Sequence, residues 1–169
     1  MREIGRSTRW MMVLVLAGAV VVAATLGCWQ MTVKTGQLPP VADLDSERAA
    51  ATQAASSGSV KLLSYSPDTV EKDTSAAEAL LTGDFLNYYK DFVDKSVIPT
   101  AHQNGITTKA NVALAGVEAL TSEKASVLVF VNQVTTTLAK PAPETTNSSV
   151  RVGLLRMRGA WLINSFDPV

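Results

Sequence analysis

The residues best suited to acid–base chemistry lie in one short stretch, IPTAHQNGITT, at positions 98–108. It contains the only histidine of the chain, His102, followed by a glutamine and an asparagine. Such a histidine can act as a general base if a polar neighbour adjusts its pKa. Near the end of a helix it instead interacts favourably with the negative end of the helix dipole. We expect the second role, because Pro99 should end or kink the preceding helix and leave His102 in a loop before Gly105. Roles as a base or as an interface residue stay open.

Four other polar side chains are candidates for lining a pocket. Tyr65 and Tyr88 are either core residues with the hydroxyl at the edge of the core or residues that contact a ligand. Asn132 and Gln133 interrupt an apolar strand. A buried amide without partners costs about 1–3 kcal/mol. This pair therefore either satisfies the backbone at an irregularity of the strand or faces a pocket.

The remaining charged pairs are typical of a solvated surface. Asp91 and Asp94 stand three residues apart on a segment that also carries two lysines. Arg156 and Arg158 alternate along a strand and are predicted at the surface. The acids expected within their reach are Asp167 and Glu118.

Composition excludes several classes of function. In 169 residues, Lys plus Arg (15) equals Asp plus Glu (15), so the formal net charge is zero. The charge balance therefore does not indicate a nucleic-acid partner. A single cysteine and a single histidine cannot supply an internal disulfide or a zinc site. No acidic cluster, nucleophile set or phosphate-binding loop appears. We predict no catalytic residue, no metal, no cofactor and no enzymatic activity.

The N-terminal region predicts a membrane anchor. Residues 10–29, WMMVLVLAGAVVVAATLGCW, carry no charge, and 20 residues of helix span the ~30 Å hydrocarbon layer. Three arginines precede this run, which favours a cytoplasmic N-terminus at residues 1–9. We predict a single-pass plasma-membrane protein that contacts the bilayer through residues 10–29. A linker (30–42) and an extracytoplasmic domain (43–169) follow.

Two alternatives to a retained anchor stay open. A cleaved signal peptide usually has a shorter apolar core and a small-residue exit. A lipoprotein signal would acylate Cys28, but Thr25 and Leu26 stand in reverse of the usual order before it. All three interpretations place the domain outside the cytoplasm.

The domain begins with three predicted helices. The first is alanine-rich, with small residues that let it lie close to a sheet, and Gly58 should fray or bend it. The second starts near Pro67 and ends at Gly83, where Asp84 caps the third. The third carries aromatic residues at helical spacing that must be buried. These are Phe85, Tyr88, Tyr89 and Phe92.

Four predicted strands joined by hairpins follow. The first places Val112, Leu114 and Leu120 on one face, and a turn at 122–123 leads to the second, at 127–131. That run is apolar on both faces, so its strand should be central. Residues 139–149 are expected to form a loop, and the last two strands should flank a turn at 158–159. The fold class is therefore α+β, with three helices packed on a curved four-stranded antiparallel sheet.

Several stretches resemble a known family. They are LLSYSPDTVEKD, LLTGDFLNYY, the P-x-A-x-x-x-G-I of residues 99–106, VLVFVNQVTT and WLINSFDPV. Together with the basic start and single span, they resemble the Mce-associated membrane proteins of mycobacteria and related actinobacteria. The predicted domain is similar to the nuclear-transport-factor-two-like, or SnoaL-like, cone.

The resemblance implies a non-catalytic accessory subunit of an Mce-type system, which imports lipids or sterols. Its partners would be subunits of the Mce complex or permease, and it would dock on them or stabilise them. A lipid or small-molecule binding module that uses the cone pocket is the alternative. A cone-fold isomerase or dehydratase is the third hypothesis. An open sheet edge would also allow a homo-oligomer.

Overall fold

The structure is a computed structural model, and it describes residues 44–169. The predicted anchor, the linker and Cys28 lie outside the described residues. Within residues 44–169, no helix is both long and apolar enough to cross a membrane.

The described chain forms helices first and strands afterwards, as predicted. The helical part comprises α1 (Leu44–Leu63), α2 (Val70–Glu78), α3 (Gly83–Phe92), a π-helical turn (Val93–Val97) and α4 (Ile98–Asn104). The strands are β1 (Thr107–Leu120), β2 (Lys124–Thr136), β3 (Glu144–Met157) and β4 (Ala160–Pro168). The sheet order is β1-β2-β3-β4, with every pair antiparallel. Because α3, the π turn and α4 are continuous, the prediction of three helices on a curved four-stranded sheet is confirmed.

The core lies between α1 and the concave face of the sheet. Val127, Val129 and Val131 alternate along β2 and are buried, as their spacing predicted. On α1, Ala51 and Ala55 are buried against this face. These small side chains let the helix lie close to the valines. The expectation that β2 is a central strand is confirmed, since β1 and β3 pair with its two edges.

Gly58 does not fray α1, which continues through it to Leu63. A Cβ atom at this position would lie 2.5 Å from Cδ1 of Ile163, a buried residue of β4. The expected fraying is wrong, and the alternative of a bend stays a prediction. The glycine instead lets the helix approach β4 closely.

We expect Gly58→Val to lower the free energy of unfolding by about 1–3 kcal/mol, because the new side chain would displace the buried Ile163 from its packed position. The matched control is Gly116→Val on β1, where nothing lies within 4 Å of the new Cβ. A β-branched residue suits that strand, so the control should stay within about 0.5 kcal/mol of the wild type. Urea unfolding measures both. Equal losses for the two variants would contradict the close approach.

The helix continues past Pro99 to Asn104, so the predicted end at this proline is wrong, and the alternative of a kink stays a prediction. Proline lacks an N–H and its ring clashes with the carbonyl four residues earlier. The π turn at Val93–Val97 lies just before it and supplies the altered hydrogen bonding that lets the helix continue. The helix ends at Gly105, which has a left-handed φ of 58°. His102 therefore lies in the last helical turn rather than in a loop.

The predicted shared face of Val112, Leu114 and Leu120 is wrong for Leu114, whereas Val112 and Leu120 both pack against the core. Register shifts occur between Val112 and Leu114 and between Val117 and Ala119. Each shift inserts one residue and reverses the alternation of the following side chains. Leu114 consequently faces solvent on the outer face of the sheet, with 64% exposure.

Residues 144–149, predicted as part of a loop, form the start of β3. They pair with the polar end of β2, where Thr145 lies opposite Val134 and Asn147 opposite Asn132. Threonine suits a strand, and cross-strand pairing decides the outcome here. The hairpin turns near 122–123 and at 158–159 are where they were predicted.

Short segments from the helical layer occupy part of each sheet edge. At β1, Tyr65 and Thr108 exchange two backbone hydrogen bonds, of 3.0 and 2.9 Å. At β4, Ile163 accepts a bond from Thr82 N–H (2.9 Å) and donates one to the Leu80 carbonyl (2.8 Å). The edges are therefore less open than the sequence indicated.

Candidate functional site

Four aromatic rings form a continuous surface where α3 meets the last strand. This aromatic surface consists of Phe85, Tyr88 and Phe92 of α3 and Phe166 of β4. The ring centroids of Tyr88 and Phe92 lie 6.2 Å apart with planes at 4°. Phe85 is 6.5 Å from Tyr88 and 6.4 Å from Phe166, also with stacked planes. These separations lie in the range for favourable contacts between aromatic rings, so each ring is stabilised by its neighbours.

Much of this surface faces solvent. Tyr88 is 64% exposed and Phe92 is 47% exposed. The prediction that the whole aromatic stripe is buried is wrong for both. The helix presents its aromatic residues over a wider arc than the core can cover. Tyr89 and Val93 are buried in the core, whereas the preceding residues Tyr88 and Phe92 are exposed.

The groove within the aromatic surface is shallow. Leu62 and Leu63 at the end of α1 complete its wall, and its volume is about 180 Å³. Pockets for drug-sized ligands are typically about 300–1,000 Å³. The groove can accept one or two protruding side chains, which is what a protein interface requires.

Tyr89 has an unusual hydroxyl just inside the aromatic surface. Burial raises the pKa of Tyr89 to about 12, and the nearby Glu78 carboxylate and Tyr65 act in the same direction. Burial also raises the pKa of Tyr65. Both phenols therefore stay protonated in alkaline conditions that ionise a free tyrosine.

This shift predicts an alkaline loss of stability. The unfolded tyrosine ionises near pH 10 and the folded one near 12, so the stabilisation is complete below pH 10 and declines as pH rises towards 12. The slope contributed by Tyr89 approaches about 1.4 kcal/mol per pH unit. We expect Tyr89→Phe to flatten the dependence of the unfolding free energy on pH between about 10 and 12. Tyr65 retains part of the slope. Unfolding by urea at several pH values measures the slope, and identical slopes in the wild type and in Tyr89→Phe would contradict the prediction.

The candidate pocket residues do not come together. Tyr65 lines a cleft of about 320 Å³ among α1, α2 and the start of β1. Tyr88 lies on the aromatic surface. Asn132 lines a separate groove of about 320 Å³ on the outer side of β2 and β3. Gln133 donates from Nε2 to Thr108 Oγ1 at 2.7 Å. Their predicted pocket-lining role therefore involves three locations rather than one cavity, and it stays a prediction.

His102 joins two helices. Its Nε2 lies 2.8 Å from Glu71 Oε1 of α2, and both side chains are about half exposed. The hydrogen bond with His102 lowers the pKa of Glu71. Asp91, one of the paired carboxylates of α3, forms an exposed ion pair with Lys95 at 2.6 Å. Both contacts, His102 with Glu71 and Asp91 with Lys95, are therefore interactions between exposed side chains at the surface. In residues 44–169, no three or more His, Cys, Asp or Glu side chains are grouped as metal ligands.

The arginine pairings differ from the sequence prediction. Arg156 Nη1 lies 2.8 Å from Glu47 Oε1 of α1, and its guanidinium lies over the Trp161 ring at 5.5 Å. Glu118 is instead the partner of Arg151, at 2.8 Å. Arg158 occupies the β3–β4 turn with a φ of 52°. Glu47 and Arg156 are 109 positions apart (156 minus 47), and no local pattern in the sequence indicates that they meet.

Known relatives of the chain occur in Mycobacterium tuberculosis. Outer membrane protein Rv1973 is 45% identical over 129 residues, which cover 76% of this chain and 80% of that protein. The chain belongs to the family of this protein. Uncharacterized protein Rv1362c is 48% identical over 120 residues, 71% of this chain. The chain spans about half the length of that relative (54%). No protein-family profile matches the chain.

Solved structures with this fold include a protein of a bacterial secretion system. An IcmL-like type IV secretion system protein of Legionella pneumophila has a TM-score of 0.59 and 11% identity, covering 78% of this chain and 94% of that one. The periplasmic domain of DotI also has a TM-score of 0.59, with 11% identity and coverage of 72% and 94%. The Agrobacterium tumefaciens VirB8 protein scores 0.58 with 12% identity, covering 73% and 92%. At these identities the likeness concerns the fold, and it confirms the expected cone-like architecture.

Proposed function

We propose that this protein is a membrane-anchored, non-catalytic accessory subunit of an Mce-type lipid or sterol import system. Its extracytoplasmic domain docks onto the complex or stabilises it. The observation that carries the proposal is the exposed aromatic surface beside the last strand.

The distribution of apolar side chains favours docking over carrying. A lipid carrier would enclose its apolar side chains around a cavity. Here the concave face of the sheet is packed against α1, while Tyr88 and Phe92 remain exposed on α3. Exposed aromatic residues are enriched at protein interfaces, where they act as anchors. An exposed apolar cluster on a small domain is therefore best explained by a partner that covers it.

The polar groups of the described domain support a non-catalytic role. A general base needs a substrate site within hydrogen-bond reach. His102 of α4 is engaged with Glu71 of α2, and neither residue lines the Tyr65 cleft or the groove of the aromatic surface. Its contact explains it as a structural link between two helices.

The proposed setting is the mycobacterial-type cell envelope. Support comes from a family relative named an outer membrane protein and from a matching fold in a periplasmic domain. The basic start and the apolar run at 10–29 support a plasma-membrane anchor with the domain outside. The choice of an Mce-type partner rests on the sequence resemblance. The type IV secretion proteins with this fold support assembly into multi-protein membrane complexes.

Affinity purification of the full-length chain from mycobacterial membranes in mild detergent tests the proposal. We expect mass spectrometry to recover Mce or permease subunits. The double variant Tyr88→Ser/Phe92→Ser should reduce that recovery several-fold. The matched control, Leu114→Ser/Phe130→Ser, removes two exposed apolar side chains from the outer face of the sheet and should not. Recovery of no Mce or permease subunit would refute the proposed function.

A second candidate function is binding of a lipid or small molecule. The Tyr65 cleft favours it, because its 320 Å³ reaches the lower end of the range for ligand pockets and its walls combine apolar groups with hydroxyls. This candidate predicts that lipid co-purifies with the protein. Native mass spectrometry that shows only the unliganded chain would eliminate it.

A further inference from the structure

We propose that the aromatic surface binds the same surface of a second copy of this chain, with the two α3 helices antiparallel about a two-fold axis. The inference rests on the proposed function only in taking the aromatic surface as a docking surface. It makes the docking unit a dimer, so that loss of Tyr88 and Phe92 lowers recovery of the transport subunits by separating the two copies. It does not depend on which transport system that dimer joins.

The charges beside the aromatic stripe are arranged for antiparallel self-pairing. Asp84, Tyr88 and Asp91 of α3 are spaced by three or four residues and therefore follow one side of the helix. Lys95, in the π turn that follows, lies beside this side because its Nζ is 2.6 Å from Asp91. Asp84 is exposed, and no ion pair to it occurs within residues 44–169. Lys95 is exposed near the other end of the same side and contacts Asp91. An acid at the start and a base at the end give this side of the helix opposite charges at its two ends.

A two-fold axis between the two helices would form the Asp84–Lys95 ion pair twice, once in each direction. An isologous contact brings the same patch of both copies together in reverse direction. Pairing about a point between positions 89 and 90 places Asp84 opposite the partner's Lys95, and Lys95 opposite the partner's Asp84. The same operation lets Tyr88 and Phe92 interdigitate with their counterparts. A parallel arrangement would place acid beside acid and base beside base.

The sheet edges offer a poorer route to a second copy. Tyr65 already pairs with Thr108 at the β1 edge, and the 80–82 segment pairs with Ile163 at the β4 edge. Pro168 ends β4 and cannot donate a backbone hydrogen bond to an added strand. The helix face is therefore the better surface for self-association.

The small area of the aromatic surface predicts a weak dimer, which would form mainly among chains anchored in one membrane. Each Phe or Tyr buries about 150–250 Å² at most. Three partly exposed rings of α3 therefore supply less than the ~800 Å² per partner of a standard interface. Chains anchored in one membrane meet at a high effective concentration, which compensates for a weak contact. We expect a dimer in membranes that dissociates on dilution in detergent.

Disulfide trapping in membranes tests the pairing. In the full-length chain with Cys28→Ala, the double variant Asp84→Cys/Lys95→Cys should give a covalent dimer under mild oxidation. The two positions are 11 residues apart (95 minus 84) on one helix. They are therefore roughly 16 Å apart, and a disulfide within one copy would need Cα atoms closer than about 7 Å. The control variant Leu114→Cys/Lys124→Cys, exposed on the sheet, should stay monomeric.

Charge reversal gives an independent result that separates a second copy from a foreign partner. Asp84→Lys and Lys95→Asp should each weaken the dimer at least threefold in sedimentation of the full-length chain in detergent. The double variant Asp84→Lys/Lys95→Asp should restore it, because both copies carry both changes. A foreign partner that retains its own charges would not restore binding.

The outcomes distinguish this inference from the proposed function. A trapped dimer restored by double charge reversal supports the inference, even if no Mce subunit is recovered. Absence of the trapped dimer, while Mce subunits are recovered in a manner that depends on Tyr88 and Phe92, overturns the inference and assigns the surface to the foreign subunit. A dimer that both single charge reversals leave unchanged also overturns the antiparallel arrangement.

Discussion

Replacing Val129 with aspartate is expected to unfold the domain. Val129 is fully buried in the middle of β2, between Ala115 of β1 and Val150 of β3. An ionised carboxylate there would have no partner and no water, and its transfer from water costs far more than a normal interaction contributes. Losses above about 4–5 kcal/mol are comparable to the whole stability of many small domains. We expect no cooperative thermal transition by circular dichroism.

Phe130→Asp is the matched control for this variant. Phe130 is the next residue of the same strand, its side chain points to the outer face, and it is 40% exposed. A carboxylate there remains in water, so the free energy of unfolding should fall by about 1 kcal/mol or less. The pair tests the register of β2, because a shift of one residue would exchange the two results. A folded Val129→Asp variant would show that α1 does not cover this face.

The sequence determined the central part of the sheet because several signals agreed there. The run at 127–131 is β-branched and apolar on both faces, which requires cover on one side and pairing at both edges. Arg158 and Gly159 supply positive φ angles at the last hairpin. The small residues of α1 predicted a close approach to the sheet, and Ala51 and Ala55 are buried there. In each case the local preference and the tertiary environment favour the same conformation.

The errors arise where an irregularity of the backbone or a pairing between strands overrode a local signal. Proline normally ends a helix, but the π turn before Pro99 changes the hydrogen bonding that proline would disrupt. The Thr-rich segment at 144–149 has the composition of a loop, but it pairs with the end of β2. The bulges of β1 move Leu114 to the outer face, and no pattern in one sequence locates such an inserted residue.

The candidate site was partly visible in the sequence. Helical spacing identified Phe85, Tyr88, Tyr89 and Phe92 as one stripe. Periodicity gives the direction of a stripe but not the width of the surface that covers it. The contribution of Phe166 from β4, 74 positions beyond Phe92 (166 minus 92), required the fold.

The second large effect is expected for Trp161→Ala. Trp161 is buried at the start of β4 and belongs to the core cluster with Leu154 and Ile163. Its outer face supports the guanidinium of Arg156, which in turn contacts Glu47 of α1. Removal of the indole leaves a large cavity and removes the surface on which this ion pair rests. We expect the free energy of unfolding to fall by about 3–5 kcal/mol, as measured by urea unfolding.

Trp161→Phe separates the packing of the ring from its polar group. Within the described residues, the indole Nε1 is buried without a hydrogen-bond partner, an arrangement that costs about 1–3 kcal/mol. Phenylalanine keeps most of the apolar contact, retains a ring beneath Arg156 and removes the unsatisfied donor. Its smaller volume and weaker attraction to a cation act in the opposite direction. We therefore expect a loss of about 1.5 kcal/mol or less. A Trp161→Phe variant as strongly destabilised as Trp161→Ala would contradict this expectation, because it would show that the unsatisfied indole N–H imposes no cost.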